Sequence, residues 1–213
     1  MISDWDLYVV TDSKVFPGRS HVEEAKAAIA GGVKVIQFRE KQMIDREIIA
    51  TGKVLRSITT EAGVDLIVNN RVDIALALGA DGVHVGQDDM PVALARQIMG
   101  PNKIVGASAS NVAEAVRAEK DGANYVAASP VFATPTKADA PPQTGLKGLK
   151  EITEAVRVPI VAIGGIGLEN VEEVVAAGAD VVAVVSAVIC AQDMRKAAEE
   201  LRSAIRVAKS KKC

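Results

Sequence analysis

The chain is predicted to fold as an α/β protein, a single (β/α)8 TIM barrel, and three observations carry that prediction. Short apolar runs alternate with amphipathic segments from end to end. Four of the amphipathic segments close on a similar glycine turn that feeds the next apolar run. Hydrophobic residues make up 49% of the 213 residues but aromatics only 3%. The core is therefore built from Val, Ile, Leu and Ala, residue types that suit parallel strands buried on both faces.

Taken in order, the apolar runs place strands at Leu7–Val10, Val35–Arg39, Leu66–Val68, Val83–Val85, Ile104–Ala107, Tyr125–Ala128, Ile160–Ile163 and Val181–Val185. Helical patterns begin near Val22, Asp45, Arg71, Val92, Asn111, Leu146, Asn170 and Asp193, so the last helix closes the chain. Strands that alternate with helices pair in parallel through right-handed crossovers. Eight such units at this length point to a closed barrel rather than an open doubly wound sheet. The glycine turns are Gly31-Gly32-Val33, Gly79-Ala80-Asp81, Gly122-Ala123-Asn124 and Gly178-Ala179-Asp180. Glycine just past a helix C-terminus accepts a left-handed backbone without a Cβ clash. No linker or low-complexity stretch interrupts the pattern, so residues 1–213 read as one domain. The longest irregular segment, Ala133–Gly145, is rich in Pro and Thr, and loops of that length in compact domains are often functional.

Composition excludes several classes of function. The net charge is −2, and no basic stripe or aromatic platform suggests nucleic acid. Lys209, Lys211 and Lys212 read as a solvated tail. Two cysteines, Cys190 and Cys213, are too few for a disulfide framework or a metal cage. Cys190, near the expected start of the last helix, is expected to be packed. Met1-Ile2-Ser3-Asp4-Trp5-Asp6 lacks the basic and apolar regions of a secretory signal. No apolar run approaches the roughly 20 residues needed to span a bilayer. A soluble, cytoplasmic enzyme acting on small molecules, with neither nucleic-acid nor membrane partners, is the expectation. Oligomeric state stays open, a homo-oligomer included.

In a (β/α)8 barrel the active site lies at the C-terminal ends of the strands. Strand two ends Gln37-Phe38-Arg39-Glu40-Lys41, and a period of two puts Gln37, Arg39 and Lys41 on one face. Two cations at a barrel mouth suit an anionic ligand such as phosphate; a structural ion pair is the alternative. Strand three ends Val68-Asn69-Asn70-Arg71, where Asn69 faces the mouth and Asn70 either faces it or caps the next helix. Strand four leads into Asp88-Asp89, a carboxylate pair suited to Mg²⁺, with one Asp also a candidate cap for the helix at Pro91. His84, inside that strand, reads as a core histidine.

Strand five ends at Ser108, and strand six runs into Ser129-Pro130-Val131-Phe132-Ala133-Thr134-Pro135-Thr136-Lys137, two threonines and a lysine on a proline-stiffened loop. Ala162-Ile163-Gly164-Gly165-Ile166 and Val184-Val185-Ser186-Ala187 follow strands seven and eight, where such barrels frequently seat a phosphate. There is no nucleophile–His–carboxylate set. Cations, amides, hydroxyls and carboxylates at one mouth stabilise a departing diphosphate rather than drive acyl transfer.

Together these motifs resemble the thiamine phosphate synthase family. The resemblance runs from Leu7-Tyr8-Val9-Val10-Thr11-Asp12 to Val185-Ser186-Ala187, through Gln37–Lys41, Asn69-Asn70-Arg71-Val72-Asp73, Asp81-Gly82-Val83-His84-Val85-Gly86-Gln87-Asp88-Asp89, Pro130–Lys137 and Ala162–Ile166. It implies a transferase that joins a hydroxymethylpyrimidine diphosphate to a thiazole phosphate and releases diphosphate. By position it implies Gln37 and Ser108 at the pyrimidine, and Arg39, Lys41, Asn69 and Lys137 at the diphosphate. Thr134 and Thr136 would meet the thiazole, and Gly165, Val185 and Ser186 its phosphate. Asp89 would bind Mg²⁺. Many members carry Asp at the second metal position, where this chain has Asn70; an amide oxygen coordinates without the charge. A thiazole tautomerase of the same superfamily has a histidine after strand six, where Pro130 stands here. A phosphosugar isomerase or epimerase and a non-catalytic ligand-binding relative complete the alternatives.

Overall fold

The computed structural model describes residues 2–134, 136 and 142–211. Lys137, Lys212 and Cys213 lie outside the described residues. Eight parallel strands close a barrel in sequence order: β1 (Leu7–Thr11), β2 (Val35–Phe38), β3 (Asp65–Asn69), β4 (Gly82–Val85), β5 (Ile104–Ala109), β6 (Tyr125–Ala128), β7 (Ile160–Ile163) and β8 (Val181–Val184). β8 returns to β1 through Leu7 opposite Val182 and Val9 opposite Val184. Outside it lie α1 (His21–Ala30), α2 (Asp45–Ala62), α3 (Val72–Ala77), α4 (Val92–Met99), α5 (Val112–Lys120), α6 (Gly145–Ala155), α7 (Val171–Ala176), α8 (Ser186–Ile189) and α9 (Met194–Ser210).

Local chemistry explains where the helices begin. Ser20 and Glu23 form a reciprocal capping box at α1. Asn111 and Asp193 accept backbone N–H groups at the starts of α5 and α9. The expected glycine turns take positive φ at Gly32, Gly79, Gly122 and Gly178. Three helix-end expectations are corrected. α8, a single turn directly after β8, lies between the expected strand and the closing helix. Cys190 therefore ends α8 rather than starting α9, and it is exposed. Pro91 stands at the N-cap of α4, and neither Asp88 nor Asp89 caps that helix. Asn70 likewise caps nothing, because Arg71 is the N-cap of α3 and makes no side-chain cap bond.

The core has two layers. Alternate strand residues such as Leu7, Val9, Ile36, Leu66 and Val83 face the helices. Their neighbours Tyr8, Val35, Ile67, Tyr125, Ala127, Val161, Val181 and Ala183 fill the barrel interior together with Trp5. Trp5 packs against Tyr8 and Tyr125 with ring centroids 5.4 and 5.7 Å apart, and its indole N–H donates to Asp65 at 2.8 Å. These aromatic rings close the barrel's interior. The same period of two, carried two residues further along each strand, sets what the mouth displays.

Candidate functional site

Above the aromatic floor the C-terminal mouth encloses a cavity of about 450 Å³. The inward parity of the strands builds its wall. Gln37 is followed by Arg39, Asn69 comes two residues after Ile67, Gly86 follows His84, and Ser108 follows Gly106. On the far side Ile163 leads to Gly165 and Ala183 to Val185. Thr134 and Thr136 reach the cavity from the loop after β6, and Ser186 from the start of α8. Gln37, Arg39, Lys41, Asn69, Asp89, Ser108, Thr134, Thr136, Gly165, Val185 and Ser186 thus come together around one space. Asn70 stands beside the cavity rather than on its wall; it enters through Asp89, to whose Oδ1 its Nδ2 donates at 3.1 Å.

The cationic wall is held from behind by a buried carboxylate cluster. Arg39 is ion-paired with Asp12, so the structural pairing weighed for it in the sequence is present while its side chain still lines the mouth. Asp12 is fixed in turn: its N–H donates to Glu24 Oε2 at 3.1 Å, and its Oδ1 accepts from Lys14 N at 2.9 Å. Glu40 has the opposite parity and turns away from the mouth. It accepts from Ser13 Oγ at 2.7 Å and from the backbone N–H groups of Lys41 and Gln42 at 2.6 and 2.5 Å, and its Oε2 lies 3.0 Å from His21 Nε2. Burial pushes the Glu40 carboxyl up, but these hydrogen bonds outweigh it and bring the pKa down to about 2. Glu24 has the reverse balance. Desolvation dominates, the Asp12 charge adds to it, and the pKa rises to about 7. Its Oε1 is buried without a hydrogen-bond partner among the described residues.

The carboxylate side of the mouth is built by a tight turn after β4. Asp89 folds back so that Oδ2 accepts from Gly86 N at 2.7 Å, leaving Oδ1 toward Asn70. Asn70 adopts φ of 51°, a left-handed conformation that Asn tolerates better than most residues. On the glycine side, Gly164 and Gly165 both have positive φ. A Cβ on Gly165 would lie 2.6 Å from Ala133 O, and one on Gly164 would lie 2.6 Å from Pro130 Cβ. The glycine pair is therefore shaped by the loop after β6 packing on it. Phe132 N donates to Gly164 O at 3.0 Å and seals that contact.

Residues passed over in the sequence also shape the mouth. His84 is buried, as a core histidine would be, but it lines the cavity. Tyr8 and Tyr125 form its base. The signal was the period of two itself, which sets His84 on the inward face with Gly82 and Gly86.

The thiamine monophosphate synthase family model matches residues 7–188. A thiamine-phosphate synthase of Chloroflexus aurantiacus is 54% identical over 99% of this chain and 97% of its own length. One from Methanoculleus marisnigri is 52% identical over 97% of this chain and 98% of its own. The solved structure of a thiamine phosphate pyrophosphorylase from Pyrococcus furiosus matches with a TM-score of 0.88 at 45% identity, covering 95% of this chain and 96% of that one.

Proposed function

The chain belongs to the thiamine monophosphate synthase family and makes thiamine phosphate, and from that premise we propose which groups of the mouth carry the reaction. The substrates are a hydroxymethylpyrimidine diphosphate and a thiazole phosphate. The bond from the pyrimidine methylene carbon to the diphosphate oxygen breaks, and its electron pair leaves with the diphosphate. The thiazole nitrogen lone pair then bonds to the resulting carbocation. No proton must be removed from the nucleophile, so the demand on the protein is charge neutralisation at the leaving group and shielding of the cation.

Arg39, Lys41 and Asn69 hold the diphosphate, with Lys137 assigned to the same task from the sequence. Gln37 and Ser108 meet the pyrimidine. Thr134 and Thr136 contact the thiazole, and Gly165, Val185 and Ser186 seat its phosphate through backbone groups and a hydroxyl. One observation carries the assignment: two cations beside an amide cluster on β2 and β3 share a single cavity with the glycine and serine ends of β7 and β8. Two anionic substrates can thus be held across one mouth.

Asp89 and Asn70 fit a magnesium ion. Asn70 Nδ2 donates to Asp89 Oδ1 at 3.1 Å, so the pair offers the carboxylate oxygen directly and the amide oxygen once the Asn70 side chain turns over. Among the described residues no group of three or more His, Cys, Asp or Glu is placed to hold a metal. An ion here takes few protein ligands and completes its shell with water and substrate oxygens, which is the habit of Mg²⁺. When bound it supplies positive charge to the diphosphate. Among the described residues no helix is long and apolar enough to cross a membrane.

The test is formation of thiamine phosphate by the purified chain from both substrates with Mg²⁺. Product and diphosphate appearing in equal amounts is the expected result. A folded protein that binds both substrates without forming product is a binding relative instead.

A further inference from the structure

Below the cavity, one continuous hydrogen-bonded chain crosses the barrel. Asn69 Nδ2 donates to Gln37 Oε1 at 2.8 Å, and Gln37 Nε2 donates to Tyr8 OH at 2.7 Å. Tyr8 OH lies 3.1 Å from Tyr125 OH, Tyr125 OH lies 2.9 Å from His84 Nδ1, and His84 Nε2 lies 2.9 Å from Ser108 Oγ. Its six residues come from β3, β2, β1, β6, β4 and β5 in turn. The phenols and the imidazole between the two ends have no part in the assignments made above.

Counting protons gives this chain a direction. Burial drives the pKa of both Tyr8 and Tyr125 up, so each phenol keeps its one proton at neutral pH. Gln37 gives a proton to Tyr8 OH, and the arrangement that places every phenolic proton within the chain has Tyr8 give its own to Tyr125 and Tyr125 give its own to His84 Nδ1. His84 Nδ1 is then an acceptor, Nε2 carries the ring proton, and Ser108 Oγ receives it. The hydroxyl proton of Ser108 is left to point elsewhere, toward the mouth. An imidazolium in this arrangement would strand one phenolic proton without an acceptor in the chain. Reversing only the links from Ser108 to Tyr8 would give Tyr8 OH two donors and leave its own proton without an acceptor in the chain, unless the Gln37 amide and its partner Asn69 turned over as well.

The structure is built to hold this chain. Gly106 lies beside both His84 and Tyr125 in the sheet ladder, and a Cβ there would meet Tyr125 OH at 2.4 Å. Tyr125 stacks on His84 with centroids 5.6 Å apart and an interplanar angle of 18°.

We propose that Tyr8, Tyr125 and His84 are positioning residues that lock the Gln37 amide and the Ser108 hydroxyl in one matched polarity, and so make the enzyme selective for an aminopyrimidine over an oxopyrimidine. The proposal rests on Gln37 and Ser108 meeting the pyrimidine. With one N–H and one lone pair used in the chain, Gln37 keeps one of each for substrate. An aminopyrimidine edge offers an N–H beside a ring nitrogen acceptor. An oxopyrimidine edge offers the reverse, a carbonyl beside a ring N–H. A free glutamine turns over to match either, whereas one locked by the chain matches only one.

The first test needs no turnover. The chain has two histidines, so ¹⁵N-histidine NMR of the whole protein, with His21→Asn for assignment, reads the His84 tautomer. Neutral His84 protonated at Nε2 is expected, with that preference lost in Tyr125→Phe. A proton on Nδ1 in the unmodified protein, or a tautomer indifferent to Tyr125→Phe, overturns the proposal. The second test compares amino- and oxopyrimidine diphosphates as substrates of Tyr8→Phe and Tyr125→Phe. The kcat/KM ratio between them should narrow roughly tenfold, the scale of one neutral hydrogen bond, with the KM for thiazole phosphate unchanged. An unchanged ratio, or equal loss for both partners, marks the tyrosines as structural only. Absence of all product from the unmodified protein would instead count against the assigned reaction, leaving the NMR result to judge the relay.

Discussion

Gly106 of β5 and Tyr125 of β6 stand opposite each other in the sheet, and a Cβ on Gly106 would fall 2.0 Å from Tyr125 Cζ. The glycine is the space that the tyrosine ring fills inside the barrel. Because the ring lies among Trp5, Tyr8 and His84, it cannot retreat without moving the floor of the cavity. Gly106→Ala should therefore cost about 1–3 kcal/mol, the usual range for overpacking, and raise the KM for the pyrimidine substrate. Urea unfolding and steady-state kinetics measure the two effects. A variant as stable as the parent would show that the ring has room to move.

In the proposed assignment Arg39, held at the cavity wall by Asp12, helps neutralise the leaving diphosphate. Arg39→Ala should lower kcat by about 10²-fold or more, the typical loss of one preorganised donor. Arg39→Lys should recover only part of this, because a point charge does not reproduce the planar fork. Near-normal turnover in Arg39→Ala would assign Arg39 to the Asp12 pairing alone.

Most of the architecture was legible in the sequence, because strands buried on both faces write themselves as short apolar runs, and glycine turns mark where helices stop. All eight strands fall where those runs lie, with ends shifted by a residue or two. α8 was missed because one helical turn is too short to show a period. The residues around the mouth were found where they follow a strand, as with Arg39 and Gly165. His84 was passed over because it lies within β4, where position along the chain suggested core. Parity along the strand was the better guide, since an inward residue near the C-terminal end is both core and cavity wall. The Asp12–Glu24 support behind Arg39 could not be read at all, because it depends on how α1 packs against β1.

Gly165 joins a positive φ of 63° to a close approach by Ala133 O and Phe132. Gly165→Ala should thus displace the loop after β6 as well as strain its own backbone. We expect the KM for thiazole phosphate to rise about tenfold or more, with a loss of stability on the order of 1 kcal/mol or more from the left-handed backbone. Calorimetric titration with thiazole phosphate and a thermal melt would check both. Unaltered affinity in a folded variant would move the phosphate seat elsewhere.

Glu24 gives the protein a pH signature. Its folded pKa, about 7, stands above the ordinary 4.5, so the folded state holds the extra proton between those values. The stability this contributes is complete below about 4.5 and is lost as pH rises through 7. Glu40, held near 2, contributes constantly across that window and falls away only in stronger acid. Unfolding free energy should therefore decline from pH 5 to 8 by an amount on the order of 2 kcal/mol. Glu24→Gln keeps an oxygen for Asp12 N and has no charge to bury, so its stability should be flatter in pH. Parallel slopes for the two proteins would assign the pH dependence to other groups.

Asp89 and Asn70 make the last prediction, which concerns metal. The two side chains touch at 3.1 Å, one a carboxylate and the other an amide. With Mg²⁺ between them, Asn70 must present its oxygen rather than the nitrogen that now faces Asp89. Replacing that amide by a carboxylate removes the choice. Asn70→Asp sets two carboxylates face to face, which repel each other without a cation and attract one strongly. The variant should melt lower than the parent in EDTA, gain more from added Mg²⁺, and need less Mg²⁺ for half-maximal turnover. Its product diphosphate should leave more slowly if the added charge holds the ion, and with it the product, in place. Asp89→Ala should do the reverse, losing the charge that anchors the ion together with the bond to Gly86 N, and turnover should collapse or demand far more Mg²⁺. Melting curves and Mg²⁺ titrations on both variants separate these effects. If Asn70→Asp gains no stability from Mg²⁺ and Asp89→Ala keeps the parent's metal requirement, the ion is held by the diphosphate alone and this carboxylate is a turn former.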